Sequence, residues 1–536
     1  MMTSKNNCVT KTADDDFLPE MYSTIDEINT HLRRDNGSIL PATDKDNNYA
    51  ISSSSSATNK KAAKRPPPPH LFLHFDVNET ILLGDPAGGD SVHECINKII
   101  AKSAFVSTSG MLNNHHRDDA DESTTKQPPM ITRSPSSGNI CDTHQFEPTH
   151  WWNGVSINDT DGFDFTSSSP TPPPPPLYTG WTYPPNCCPY YRTKYKQNAK
   201  KFTSTPHGQM YRPLYDKLCR KMGLDGTNDN DCGKGRHVQQ SRNEEMNVFQ
   251  NFLPAFWQTL MYYFPSSTKM NTSSNNNNND DDESAMATAR RKVPPPPSKV
   301  TLVLRTFGTD LPRVATAISE FAKGNHPDYP NYINEDLILE DGDLYCSGWS
   351  YSHNHDDDKE ELVYSLHRAA NDNQEGTTTT TPTPTTTTTP VYSGDDDILN
   401  LLQSKHIVGI QDNYSFWKDN NHAPWAGKPV WTNTSVHGHD HHHVLLDDNI
   451  HNDPTDGAGG IRVPIVVENG QGGGGGSSNN NNCYNRYESL HGEEALDLHG
   501  RYLIRVPTIR PSLEDDWFIR QIEMARWLVQ LDDIND

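Results

Sequence analysis

Long hydrophobic runs are what this chain of 536 residues has least of. Only 32% of its residues are hydrophobic, and no run approaches the ~18 apolar residues that a bilayer-spanning helix needs. Positive charge is short as well. Against 70 Asp plus Glu stand 46 Lys plus Arg, a net charge of -24, so neither nucleic acid nor an anionic membrane is expected as a partner. The local exception, Lys60, Lys61, Lys64 and Arg65, reads first as a solvated linker and second as a nuclear-import signal. Nine cysteines are present but no C-x-x-C pair of the zinc type, which fits reduced thiols. The opening residues, MMTSKNNCVTKTADDDF, contain no apolar h-region. A soluble protein of the cytoplasm, or one moving between cytoplasm and nucleus, is expected.

What is abundant is polar low complexity. Runs such as Ser52 to Ser56, Pro172 to Pro176, Asn275 to Asn279, Thr377 to Thr381 and Gly472 to Gly476 offer too little apolar surface to offset the entropy of ordering them. Residues 1–65 are therefore expected as a disordered tail and 66–536 as one domain. Its core segments are 66–106, 246–325 and 398–525, with insertions at 107–245, 270–298, 326–397 and 468–482. Disorder is expected near 107–145, 270–298, 371–394 and 468–482.

The stretch LFLHFDVNET, Leu71 to Thr80, organises the rest. Leu71, Phe72, Leu73 and Phe75 are strand formers, Pro66 to Pro69 bar a helix just upstream, and the apolar run stops at Asp76. A carboxylate at the C-terminal tip of a strand lies where open parallel α/β sheets bind ligands. Asp and Asn also end strands in ordinary turns, so the position alone leaves both readings open. The pattern recurs. VTLVLRT, Val300 to Thr306, follows prolines and ends in a hydroxyl, and His443 to Leu446 run into Asp447-Asp448-Asn449. His406 to Asp412 and Tyr502 to Val506 are further strands.

Helices are expected between them: one capped by Ser91 with the stripe Val92, Ile96, Ile99 and Ile100, others over Tyr211–Leu224 and Met246–Phe264, the latter bent or begun at Pro254. Asp310-Leu311-Pro312 opens another, Asp395 to Asp397 precede a short one, and Leu513–Leu531 is amphipathic. This alternation predicts a Rossmann-like three-layer α/β sandwich whose parallel sheet contains 71–75, 300–305, 406–410 and 443–446, with a cap-like insertion after the first strand. The insertion's aromatics, Trp151, Trp152, Trp181, Tyr190 and Tyr191, either roof a cleft or anchor the insertion.

FDVNET, VLRT and LLDDN resemble motifs I, II and IV of the haloacid dehalogenase-like (HAD) hydrolase superfamily, in order and in strand context. The resemblance covers 71–106, 246–325 and 398–525. It implies Asp76 as nucleophile, Thr80 and Thr306 on the transferred group, and Mg²⁺ held by Asp76, the backbone carbonyl of Asn78, Asp447 and Asp448. The superfamily's third motif needs a lysine upstream of the acidic pair; Lys428 is the choice, ahead of Lys418 and Lys405. The set is chemically coherent, because Mg²⁺ prefers hard oxygen ligands and an Asp carboxylate can attack phosphorus.

One residue departs from the pattern. Asn78 stands where phosphatases of this superfamily usually have a second Asp, and an amide cannot supply general acid-base help worth ~10²–10⁴-fold. The preferred expectation is a hydrolase of a small phosphorylated substrate with impaired turnover. The alternatives are an inactive domain that binds a ligand or protein, and dehalogenase-type chemistry at carbon. His437, His439, His441, His442 and His443 invite a metal-site reading, but a compositional tract is preferred, with His442 and His443 beginning a strand.

Overall fold

A computed structural model describes residues 69–84, 89–108, 148–158, 174–180, 183–193, 195–224, 248–266, 297–353, 360–369, 391–423, 426–432, 441–450, 461–467, 486–490 and 498–535. The expected tail lies outside them, as do the segments named above as disordered, apart from a few residues at their ends.

β1 (His70–Asp76) leads into α1 (Val92–Ser103). An insertion follows with β2 (Phe105–Ser107), β3 (His150–Trp151), β4 (Cys187–Pro189) and α2 (Arg212–Lys221), and α3 (Pro254–Tyr263) returns to the core. Then come β5 (Val300–Thr306), α4 (Leu311–Ala322), β6 (Leu344–His353), β7 (Glu360–Arg368), β8 (Tyr392–Ser393), α5 (Asp395–Ser404), β9 (Ile407–Gln411) and α6 (Tyr414–Asp419). The last elements are β10 (Lys428–Pro429), β11 (His441–Asp447), β12 (Ile461–Val467), β13 (Arg486–Leu490), β14 (Leu503–Arg505), α7 (Ile509–Leu513) and α8 (Trp517–Asn535).

Eight strands form the central sheet in the order β14-β11-β1-β5-β9-β6-β7-β8. The first six are mutually parallel, and β7 and β8 are antiparallel additions. Because side chains alternate along a strand, Leu71, Leu73 and Phe75 pack with Leu302, Leu304, Val444 and Leu446 against Ile96, Phe256, Ile318 and Phe518 of the helices on one face. Phe72, Val303, Val408 and Ile410 pack on the other face with Ile398 and Leu402 of α5. Helices therefore cover both faces, and the fold is a three-layer α/β sandwich. From β1 the chain moves to β5 and β9 on one side, then returns to β11 and β14 on the other. The C-terminal end of β1 is thus the switch point at which such sheets open a crevice.

Several boundaries differ from the sequence expectations. Residues 326–397, expected as an insertion, supply β6 to β8, which makes the sheet mixed; Tyr345 and Ser347 are buried while their neighbours are only partly covered, so no apolar run announced this edge. The helix expected from Met246 begins at Pro254, whose missing N–H suits the first helical turn and no interior position. The C-terminal helix expected from Leu513 begins at Trp517, after the separate short helix α7, and β11 begins at His441. Ser91 caps α1 as expected, with a reciprocal capping box to Glu94. The insertion has its own core, in which Trp151, Tyr190, Phe202 and Tyr211 pack together, and Asn97 of α1 accepts from the Thr203 N–H and hydroxyl, each at 2.8 Å. Trp151 and Tyr190 are thus anchors, while Trp181 lies outside the described residues. No helix among the described residues is long and apolar enough to cross a membrane.

An acid-rich candidate active site at the switch point

Asp76 ends β1 and Asp447 ends β11, and the parallel register that pairs Phe75 with Leu446 sets both carboxylates at one sheet edge. β10 delivers Lys428 between them. Its Nζ donates to Asp76 Oδ1 at 2.5 Å and to Asp447 Oδ2 at 2.7 Å, and all three side chains are buried. Asp448 completes a group whose carboxylate oxygens lie within 4.8 Å of one another, the one such cluster of three potential ligands among the described residues. Three hard oxygen donors suit Mg²⁺ or a similar cation.

The charges of these groups act on one another. Burial pushes the Asp76 carboxyl well above its ordinary range, with Lys428 opposing and Asp447 and Asp448 adding to the shift. Burial also raises Asp448, against the pull of Lys102. Lys428 stays charged despite its own burial because Asp447 and Asp76 hold its proton. Three carboxylates, Asp76, Asp447 and Asp448, are contacted by two lysines, Lys428 and Lys102.

The Thr80 hydroxyl donates to Asp76 Oδ2 at 3.3 Å and accepts the Asp448 N–H at 3.2 Å. Thr306 is fully buried at the end of β5, and its Oγ1 accepts the Gly308 N–H at 2.9 Å, which leaves the hydroxyl proton for another acceptor. A Cβ on Gly308 would stand 2.9 Å from Asn78 Nδ2, 2.9 Å from Asp310 Oδ2 and 3.3 Å from Thr306 Oγ1, so three polar side chains converge where only glycine fits. Asn78 Oδ1 is buried with no hydrogen-bond partner, a costly state for an acceptor unless something else arrives to satisfy it. Of the other lysines considered, Lys405 pairs with Asp343 at 2.7 Å before β9 begins, at the opposite sheet edge, and Lys418 is exposed on α6. His437 and His439 lie outside the described residues; His441, His442 and His443 run along β11 and join no cluster of metal ligands there.

Sequence reasoning missed the groups that brace this centre. Arg305, fully buried inside β5, donates from Nε and Nη2 to Asp412 at 2.9 and 2.5 Å and from Nη1 to the Pro429 carbonyl at 2.8 Å, which ties β5, β9 and the residue beside Lys428 together. An arginine inside an otherwise apolar strand was the readable signal, since a buried guanidinium demands a carboxylate. Glu79 adopts φ +58°, uncommon without glycine, and is gripped by Lys98 and Lys102 of α1. Burial opposes its ionisation, but Lys102 and Lys98 prevail and draw its pKa down to about 2. Lys102 also donates to Asp448 at 2.7 Å, so Glu79 helps to fix the third carboxylate. The four-residue spacing of these lysines was visible as one helix face.

Comparison with protein-family models, with curated proteins and with solved structures finds no match to this chain.

Proposed function

We propose that the chain is a HAD-like phosphohydrolase that uses Asp76 as nucleophile on a small phosphorylated substrate, with Mg²⁺ as cofactor. The observation that carries this reading is the Asp76–Lys428–Asp447 contact at the switch point, where the motif resemblance and the chemistry of the donor set coincide. Asp76, Asp447, Asp448 and the Asn78 backbone carbonyl would hold the ion, which neutralises phosphate oxygens when bound.

An Asp76 oxygen attacks phosphorus as the ester P–O bond breaks, and the leaving alkoxide takes a proton from water. A second water then attacks the phosphorus of the aspartyl phosphate, releasing phosphate and restoring Asp76. Lys428 orients Asp76 and offsets charge beside it. Thr306 donates its hydroxyl proton to the transferred phosphoryl group, and Thr80 ties Asp76 to the Asp448 backbone. Asn78 transfers no proton, so the rate forgoes much of the ~10²–10⁴-fold that a positioned acid contributes. The reading includes a cytoplasmic or nucleocytoplasmic setting, where thiols such as those of Cys95, Cys187 and Cys346 stay reduced.

The competing reading is a phosphate-binding module without turnover, and Asn78 is the observation that favours it. Purified protein assayed with phosphomonoesters and Mg²⁺ separates the two. Turnover that disappears in Asp76→Asn supports the hydrolase; turnover equal in that variant, or absent from wild type while calorimetry shows Mg²⁺-dependent phosphate binding, sinks it. Asn78→Asp should raise turnover without exceeding the ~10²–10⁴-fold ceiling of general acid catalysis. The carboxylate of Asp310 converges on the same glycine and will hold the gain below that limit.

A further inference from the structure

Around the carboxylates almost every buried charge has an opposite charge in contact. Lys428 has Asp76 and Asp447, Lys102 has Glu79 and Asp448, and Arg305 has Asp412. Arg505 does not. It ends β14 as the direct cross-strand partner of Asp447, and the Val506 N–H donates to the Asp447 carbonyl at 3.0 Å, so it belongs to the same sheet edge. Its guanidinium, partly buried, gives one hydrogen bond, from Nη1 to the Gly180 carbonyl of the insertion, and lies 5.8 Å from the centre of the Tyr183 ring. No carboxylate forms an ion pair with it among the described residues.

A guanidinium offers five N–H donors in a planar fork that matches carboxylate and phosphate oxygens. Here one donor is used. Burial lowers the Arg505 pKa, an unusual direction for arginine, and the groups that oppose the shift are the phenols of Tyr183, Tyr191 and Tyr178 together with Asp448. A second guanidinium, that of Arg192, stands 5.6 Å from the centre of the same Tyr183 ring. The insertion therefore covers Arg505 with the Gly180 carbonyl and the Tyr183 ring, and none of its described residues brings a carboxylate to the guanidinium.

We propose that Arg505 binds a second, non-transferred anionic group of the substrate, so that the substrates are phosphomonoesters carrying a carboxylate or a further phosphate. The inference rests on the hydrolase reading for its choice of substrate, but the anion subsite stands on Arg505 itself. β14 lies two strands from β1, roughly 10 Å at ordinary spacing, so the two anions belong to the ends of a short chain rather than to neighbouring atoms.

The test uses the full chain with Mg²⁺ and linear probes in which a phosphate and a carboxylate, or two phosphates, are separated by spacers of increasing length; simple alkyl phosphates and inorganic phosphate serve as controls. Arg505 is labelled with an arginine-selective dicarbonyl reagent and its modification followed by peptide mass spectrometry. Doubly anionic probes should slow the labelling several-fold, best at an intermediate spacer, while alkyl phosphates leave it unchanged. In kinetics, Arg505→Gln should raise KM for doubly anionic substrates by roughly 10–100-fold, the range of a charge-assisted hydrogen-bonded pair, leave alkyl phosphates unaffected, and be partly rescued by Arg505→Lys. Equal labelling with every probe, or an equal loss for both substrate kinds, overturns the proposal. Protection of wild-type Arg505 without any turnover would count against the hydrolase and for the subsite; turnover without protection or preference would count the other way. If Arg505→Gln fails to fold, the wild-type labelling still decides.

Discussion

β1 and β11 carry two buried polar pairs, two residues apart along β1 and four along β11, and the pairs have opposite electrostatics. In mid-sheet, His74 Nε2 and His443 Nδ1 meet at 2.9 Å with no counter-ion. Burial pushes both imidazoles well below their ordinary pKa, with Arg305 adding to the shift at His74 and the neighbouring histidines adding at His443. At the strand tips Asp76 and Asp447 meet through Lys428 and share its charge. Where neither water nor a cation enters, a titratable pair persists only by staying neutral. Where the sheet opens and a lysine reaches in, two carboxylates remain as an acceptor for further positive charge. Arg305–Asp412 lies between these extremes, buried and charged but balanced one to one, so it is structural.

The sharpest way to break the comparison is to remove the cation at the tip. Lys428→Met leaves adjacent buried carboxylates uncompensated and should cost about 3–5 kcal/mol of stability, read as a shift of the urea midpoint that shrinks in acid as the carboxylates take up protons. An unchanged midpoint would mean that the tip is no more charged than the mid-sheet. Asp412→Asn should cost somewhat less, about 3 kcal/mol, because the Pro429 carbonyl still accepts from Arg305. It should also raise KM by loosening the strand that presents Lys428; a stability loss with wild-type kinetics would deny Arg305 any influence on the site.

The smallest effect belongs to the histidines. His70 is lowered to about 4, chiefly by burial, and His74 and His443 are lowered further than an exposed imidazole. Below pH 6.5 the unfolded chain binds protons that these folded histidines refuse, so their contribution falls as pH falls, by ~1.4 kcal/mol per pH unit for each group, while Asp76 and Asp448, raised by burial, act with the opposite sign. Between pH 6.5 and 4.5 Glu79 adds little, because its own loss begins only as its unfolded form protonates. His443→Phe, which keeps a ring to stack on Phe72, should reduce that slope by one proton's worth in pH-resolved denaturation. A slope equal to wild type would show that the pair already charges in the folded state.

The strands that carry the nucleophile candidate and the acidic pair were legible because burial on both faces imposes a mostly apolar run, broken by His74 and Arg305, that ends visibly at Asp76, Thr306 and Asp447. Lys428 was reached through the motif resemblance, since AGKP has no local feature that distinguishes it from other lysines. The edge hairpin of β6 and β7 escaped because a half-covered antiparallel edge tolerates Ser, Gly and His in alternation. Arg305–Asp412 and Glu79–Lys102 escaped for a different reason: a charge reveals its partner only in three dimensions, and a single sequence specifies that a buried arginine needs a carboxylate without saying which one. Arg505 was hidden by the same rule, as one more basic residue in a short strand.

The Asp76–Lys428 contact also has a history in time, because 352 residues separate its two members along the chain. At ordinary synthesis rates of ~5–20 residues per second, the lysine emerges roughly 20–70 s after the aspartate. Throughout that interval β1 lacks β11, the neighbour that covers one of its hydrogen-bonding edges, and Asp76 has no cation beside it. Parallel pairing across such a span is slow to form and open to wrong associations until its last strand arrives. The acidic centre is therefore assembled late, by the return of distant sequence to the first strand, and a fragment stopping short of β10 carries the nucleophile candidate without the residues that would make it one.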